Sequence, residues 1–239
     1  MAKRFVYVPI NEVPFVEINE VEFKWEPGLS KSQRKKSSDN LHREAGSLGI
    51  ANNILECSSA NPTKLGFTMS AYNLPFYTNS NMSVESAYQG SKTFRNDETL
   101  EVTWMKHVYN LESKASKRAL TEMETSNKHS FIGFTLCEKE DFWAIPEDIP
   151  TRYIFYTYIY VKSLQHLLKT KPEYLEELLE YDGFTDIMLR WHGGVVTSCQ
   201  AAAVAMTIGM YKANKLDEIM DSREKFIEVY SKYGLEVKK

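Results

Sequence analysis

What this chain has little of narrows it before any motif is read. Its cysteines, Cys57, Cys137 and Cys199, are odd in number and far apart, with no C-x-x-C pair. That argues against a disulfide framework or a thiolate zinc site and for a reducing compartment. Long apolar runs are missing as well. No segment approaches the roughly 18 apolar residues of a membrane span, and MAKRFVYVPI at the N-terminus has two basic residues without an apolar stretch of signal-peptide length. A soluble cytoplasmic protein with no membrane partner is expected. Positive charge is not in excess either: the net charge is -3, so any contact with nucleic acid has to come from a local patch.

Several catalytic signatures are also absent. There is no G-x-x-x-x-G-K-[ST] and no G-x-G-x-x-G, which removes a P-loop and a dinucleotide fingerprint. The histidines (His42, His107, His129, His166, His192) have no partners at ligand spacing, so nothing asks for a metal. Without G-x-S-x-G, the triplet His192-Gly193-Gly194 matches an oxyanion-loop motif in three residues only, and a serine hydrolase is not expected. Cys199 precedes an apolar helix and reads as a buried thiol rather than a nucleophile. No cofactor is implied.

What is present is a 43% hydrophobic chain of 239 residues, enough for a real core. With no repeat, low-complexity run or convincing linker, a single domain over 1–239 is expected. Alternation at Phe5, Tyr7, Val21, Phe23 and Trp25 suggests two strands around a turn-prone segment from Pro9 to Pro14. Ser30 with Gln33 fits a capping box for a helix over 30–47. Its early turns carry Lys31, Arg34, Lys35 and Lys36, either a solvated face or a phosphate-tracking patch. Ile54–Ser59 reads as a short strand, Leu65–Leu74 as a strand running into a polar turn, and Glu98–Thr121 as a helix with Lys114, Lys117 and Arg118 on its later turns. Phe131–Leu136 is strand-like. Tyr153–Leu168 is an aromatic helix whose rings are taken mainly as core. Pro172 opens a helix that Gly183 is expected to close, Ala201–Tyr211 is apolar nearly all round and should be buried, and a last helix spans 222–233.

Chemistry concentrates in Ser83–Phe94. On a helix, Glu85, Tyr88, Gln89 and Lys92 fall at i, i+3, i+4 and i+7, which puts a carboxylate, a phenol, an amide and an amine on one face. An ordinary amphipathic helix has the same spacing. Glu85 would lie in the first turn behind a cap at Ser83 or Asn81, where free backbone N–H groups favour its ionised form. Asp186, between apolar residues after a helix stop, is the second carboxylate of interest, as a cap or a site residue.

The segments FKWEPGLS, LHREAGSLGI, ILECSS, LGFTMSAYNL, VESAYQGSKTF, FIGF, EYDGFTDI and SCQAAAVA, in this order from Phe23 to Tyr211, resemble the NADAR superfamily, and most closely the NADAR antitoxins paired with DarT-type DNA ADP-ribosyltransferase toxins. The resemblance implies an α+β, helix-rich single domain with several short strands, the NADAR (YbiA-like) fold, with the C-terminal helix as an addition. It implies a glycohydrolase that removes ADP-ribose from guanine bases of DNA, with ADP-ribosylated DNA as partner and ADP-ribose as product. Carried over, Glu85, Lys92 and Asp186 would be catalytic, and Ser70, Asn73, Tyr88, Gln89 and Gln200 would hold ADP-ribose. Lys31, Arg34, Lys35, Lys36, Lys114, Lys117 and Arg118 are the residues for DNA contact. The linkage is an N-glycoside to an exocyclic amine, so Glu85 can supply a proton and then take one from water. Lys92 can act as a cation on the diphosphate or attack the anomeric carbon and form a Schiff base. Hydrolysis of free N-glycosidic metabolites, and a non-catalytic antitoxin or ADP-ribose reader, are the alternatives.

Overall fold

The computed structural model describes residues 1–28, 30–106, 114–136, 141–144, 151–189, 199–232 and 237–238. The N-terminal alternation produces a long hairpin. β1 (Ala2–Pro9) and β2 (Val16–Phe23) pair antiparallel from Ala2↔Phe23 to Pro9↔Val16. Because side chains alternate across a strand, Phe5 and Tyr7 face one side, while Val6, Val21 and Phe23 face the other. Helix α1 (Lys31–Ser47) covers that second side, started by the expected capping box, with Ser30 Oγ accepting from Gln33 N and the Gln33 side chain answering at the Ser30 backbone. Leu41 and Ala45, one turn apart, supply its buried contacts.

β3 (Ile54–Glu56) is followed by a short helix, α2 (Lys64–Thr68), a hairpin of β4 (Pro75–Phe76) and β5 (Asn79–Ser83), and then α3 (Val84–Ser91). β6 (Lys92–Asn96), β7 (Val102–Trp104), β8 (His129–Leu136) and β9 (Asp141–Ala144) form an antiparallel sheet in the order β7-β6-β8-β9. Helix α4 (Lys114–Thr125) packs on it, with Leu120 and Met123 against Phe94 and Met105. The chain continues through α5 (Thr151–Thr170), α6 (Glu173–Leu179), β10 (Gly183–Thr185), α7 (Gln200–Lys212), α8 (Leu216–Met220), α9 (Arg223–Lys232) and β11 (Val237–Lys238). The larger sheet runs β11-β2-β1-β10-β3, with β10 antiparallel to β1 and parallel to β3.

The apolar helix α7 is buried along Gln200–Met210, as its composition requires. It lies between the larger sheet and α5, whose Phe155, Ile159, Tyr160 and Leu164 are buried. Gly209 allows this closeness: a Cβ there would stand 2.1 Å from the Phe15 carbonyl oxygen and 2.7 Å from that of Ile10. The α5 aromatics are core, as expected, with Phe155 stacked on Phe134 at 4.1 Å and 8°; Tyr153 is exposed.

Four expectations need correction. Leu65–Leu74 is not a strand. Thr63 Oγ1 caps Gly66 N at 3.2 Å and starts a helical turn, and Ser70 O then accepts from Asn73 N and Leu74 N, so local capping prevails over alternation. Within Glu98–Thr121, Val102–Trp104 instead pairs with Arg95–Thr93 in a sheet, and α4 begins only at Lys114, with 107–113 outside the described residues. Gly183 does not end a helix. The Asp182 carboxylate accepts from Asn52 N and Asn53 N, which docks the chain beside β3 and makes Gly183 the first residue of β10. Finally, α3 stops at Ser91, and Lys92, with ψ 134°, opens β6.

Candidate functional site

Helix α3 begins where its sequence says: Ser83 Oγ accepts from Ser86 N at 3.1 Å, which places Glu85 in the first turn. Gln89, one turn on, donates from Nε2 to Glu85 Oε1 at 2.7 Å, while Glu85 Oε2 has no hydrogen bond among the described residues. The carboxyl is half-buried and its pKa is raised, because desolvation outweighs the opposing effects of the Gln89 hydrogen bond and the Lys92 charge. The sequence reading placed Glu85 where helix N–H groups favour ionisation; burial reverses that direction.

Although Lys92 leaves the helix, the turn into β6 keeps its amine in the site. Nζ lies 5.3 Å from the Tyr88 ring centroid and pairs with the Glu124 carboxylate of α4. Tyr88 is itself wedged among Phe134, Phe155 and Tyr156 at 5.3–6.3 Å, so the platform under the amine is fixed by the core. Lys92 is 8% exposed.

A short backbone path joins this helix to the second carboxylate. Glu85 N donates to Ala71 O at 2.9 Å, and Ala71 N donates to Gln200 Oε1 at 2.7 Å. The Gln200 side chain also acts on Asp186, favouring its ionised form. Asp186 is a turn cap and a buried acid together. Its Oδ1 accepts from Met188 N at 3.0 Å, Cys199 Sγ stands 3.9 Å from Oδ2, and burial pushes its pKa up to about 6. Cys199 is the buried thiol expected, its own pKa pushed up by burial and by Asp186. Next to Ala71, Ser70 Oγ is buried without a hydrogen-bond partner among the described residues, as is Gln89 Oε1. Buried polar atoms are normally paired, so these two have bonding capacity to spare.

Of the residues named from sequence, Glu85, Tyr88, Gln89, Lys92, Ser70, Gln200 and Asp186 thus belong to one connected region. Asn73 turns its Nδ2 back to Phe67 O at 3.0 Å and shapes the turn. The basic residues stand apart. Lys31, Lys35 and Lys36 are exposed on α1 and Arg34 is half-buried. Arg118 is exposed and paired with Glu122 at 2.7 Å. The side chains of Lys114 and Lys117, and His192-Gly193-Gly194, lie outside the description. Sequence reading missed Glu124, because nothing in spacing links it to Lys92. It also missed Tyr72 and Tyr156, whose phenols are raised in part by the Glu85 charge, and it missed Glu56. The last sat inside a matched segment, as a charged residue between Leu55 and Cys57, and that pattern is the signal that could have flagged it.

No group of three or more His, Cys, Asp or Glu side chains able to hold a metal occurs among the described residues. No helix among them is long and apolar enough to cross a membrane.

Fold and site define a mixed α/β protein whose helix N-terminus carries a desolvated acid beside a buried amine. The chain belongs to the DarT1-associated NADAR antitoxins: the model of that family matches residues 2–239. Membership gives it an antitoxin role and a link to a DarT-type toxin. The match extends beyond Phe23–Tyr211 on both sides. None of the curated proteins compared with the chain matches it.

Proposed function

We propose that this antitoxin is an N-glycosyl hydrolase that releases ADP-ribose from guanine bases of DNA, reversing the modification made by a DarT-type toxin. The observation that carries the reading is the state of Glu85: a carboxyl with a raised pKa, one oxygen oriented by Gln89 and the other open. A carboxyl shifted toward its protonated form is what departure of an exocyclic amine calls for. Glu85 donates its proton to the guanine nitrogen as the bond to the anomeric carbon breaks. The carboxylate that remains takes a proton from water as the water oxygen adds to that carbon, so the products are unmodified guanine and ADP-ribose.

The other residues take supporting roles. The Lys92 amine pairs with Glu124 and lies over the Tyr88 ring, surroundings that suit a cation and favour Lys92 as the cation on the diphosphate over the covalent alternative. Ser70 Oγ and Gln89 Oε1, lacking partners, suit the ribose hydroxyls. Asp186, fixed by Met188 N and Gln200, suits the orientation of a hydroxyl or the attacking water.

Incubation with an oligonucleotide carrying ADP-ribosylated guanine, with chromatographic detection of released ADP-ribose, tests the reading. Wild type should release it, and Glu85→Gln should bind the substrate without turnover. Release from free nucleotide glycosides but not from the oligonucleotide would move the assignment to metabolites. Protection of cells without any release would make the protein a binder.

A further inference from the structure

The larger sheet separates two polar regions. Strand alternation puts Leu55, Cys57 and Phe184 on the face covered by α7, and Ile54, Ala60 and Ile187 on the face covered by α1. Glu56 and Thr185, which pair in register, accordingly project toward α1, opposite to Asp186 and Cys199. On that α1 face, between α1 and the edge strand β3, lies a cavity of about 200 Å³. Arg34, Ser38, His42, Glu56, Thr63 and Tyr181 are among its lining residues. None of these belongs to the region around Glu85.

Its walls are fixed. Asn61 Nδ2 donates to Glu56 O at 2.6 Å and Asn61 Oδ1 accepts from Thr63 N at 2.9 Å, holding the 60–63 loop. Thr185 Oγ1 donates to Glu56 Oε2 at 2.8 Å, and His42 Nε2 lies 2.8 Å from the same hydroxyl and 3.3 Å from Ser38 Oγ. The imidazole is therefore anchored through Nε2, and its Nδ1 has no hydrogen bond among the described residues. Burial holds the ring neutral, with its pKa lowered to about 4. Ile54, Ala60, Pro62, Ile187 and the Tyr181 ring supply apolar wall. The guanidinium of Arg34, on the rim provided by α1, makes no hydrogen bond or ion pair with any described residue, whereas Lys35 beside it is tied to Asp39 at 2.7 Å.

A small, half-open space whose wall is polar and apolar in similar measure, with one unpartnered ring nitrogen and an unpaired guanidinium, selects its ligand narrowly. It is below the roughly 300–1,000 Å³ that drug-sized ligands occupy, so it has room for one flat heterocycle. An uncharged ring nitrogen meets a heterocycle edge by hydrogen bonding, and arginine binds phosphate bidentately. We propose that this cavity is a second binding site, for one nucleoside monophosphate unit, with its base between α1 and β3 against His42 and its phosphate on Arg34. The unit is a free nucleotide or one unpaired residue of a strand; the chemistry is the same. The site is independent of the chemistry assigned to Glu85.

Titration of the full chain with adenosine 5′-monophosphate, followed by calorimetry and by NMR, tests it against adenosine and inorganic phosphate as probes. The monophosphate should bind about tenfold or more tightly than either fragment. Arg34→Ala should weaken it by about tenfold and leave adenosine unchanged, with an unaltered unfolding midpoint. Ser38→Leu, which fills the cavity, should remove binding. Lys92→Ala should leave it intact. Displacement of the monophosphate by a short single-stranded oligo-deoxyadenylate identifies the strand as the source, and no displacement identifies the free nucleotide; either result upholds the pocket. Absence of binding, binding unaffected by Arg34→Ala, or binding lost in Lys92→Ala in place of Arg34→Ala would overturn it.

Discussion

Glu56 and Glu85 are both carboxyl groups that burial pushes toward the protonated form, yet their surroundings treat them oppositely. Glu56 has both oxygens engaged: Oε1 accepts from Ile187 N at 2.9 Å and Oε2 from Thr185 Oγ1 at 2.8 Å. Glu85 has one oxygen engaged, by Gln89, and one open. A saturated buried acid stabilises the fold, whereas an unsaturated one keeps a lone pair and a proton for something that is not part of the protein. Desolvation is common to both acids; what sets Glu85 apart as the candidate for chemistry is its unmet hydrogen-bonding group.

The two acids should differ most in turnover. Glu85→Gln keeps the shape of the side chain and removes the acid, so release of ADP-ribose should fall by about 10²–10⁴-fold, while the urea midpoint shifts little. The opposite substitution sharpens the difference. Glu56→Ala strands Thr185 Oγ1 and Ile187 N in the interior and should lower the unfolding free energy by about 3 kcal/mol, measured by urea denaturation. If Glu85→Ala costs as much stability as Glu56→Ala, the two acids do not differ in the way described.

A third expectation concerns pH. Glu56 and Asp186 are raised in the folded state, Glu56 to about 8 and Asp186 to about 6, chiefly by burial and, for Glu56, by the neighbouring Asp186 charge. A carboxyl whose folded pKa is raised contributes stability that is fully present below its unfolded pKa and is lost as pH rises through the folded value. Stability to urea should therefore decline from about pH 4 to about pH 8, with the Asp186 share complete by about pH 6, and the decline should be shallower in Glu56→Gln. A flat profile would contradict it. At Lys92, the cationic role predicts that Lys92→Arg retains part of the activity that Lys92→Ala loses, and that borohydride traps no ADP-ribose on the protein; trapping at Lys92 would establish the covalent route instead. Smallest of all, Tyr160→Phe removes the hydroxyl that donates to Met69 O and should cost about 1 kcal/mol without changing turnover.

Much of this was legible in the sequence where local physics decides. The Ser30/Gln33 box, the Ser83 cap and the all-apolar run of α7 each specify their helix with few competing terms, and the residue types of the site were readable in VESAYQGSK. What could not be read was whatever depends on distant partners. The turn at Lys92 is set by pairing of β6 with β8, from Lys92↔Phe134 onward, not by helix periodicity. Glu124 reaches Lys92 from 32 residues away. The alternation in LGFTMSAYNL lost to a cap at Thr63 and to the seating of Gly66 on the Glu56 carbonyl, where a Cβ would stand 2.5 Å from oxygen. Direction of charge was the subtlest miss: helix position argued for an ionised Glu85, and only packing reveals that desolvation prevails.

Cleavage, as proposed, depends on the proton that Glu85 carries. The most direct measurement is single-turnover release of ADP-ribose from a guanine-modified oligonucleotide as a function of pH, for wild type and Glu85→Gln. The wild-type rate should fall on the alkaline side as Glu85 ionises above its raised pKa, and the variant should bind the oligonucleotide but release nothing above background. A Glu85→Gln variant with the wild-type rate and the same pH profile would contradict it.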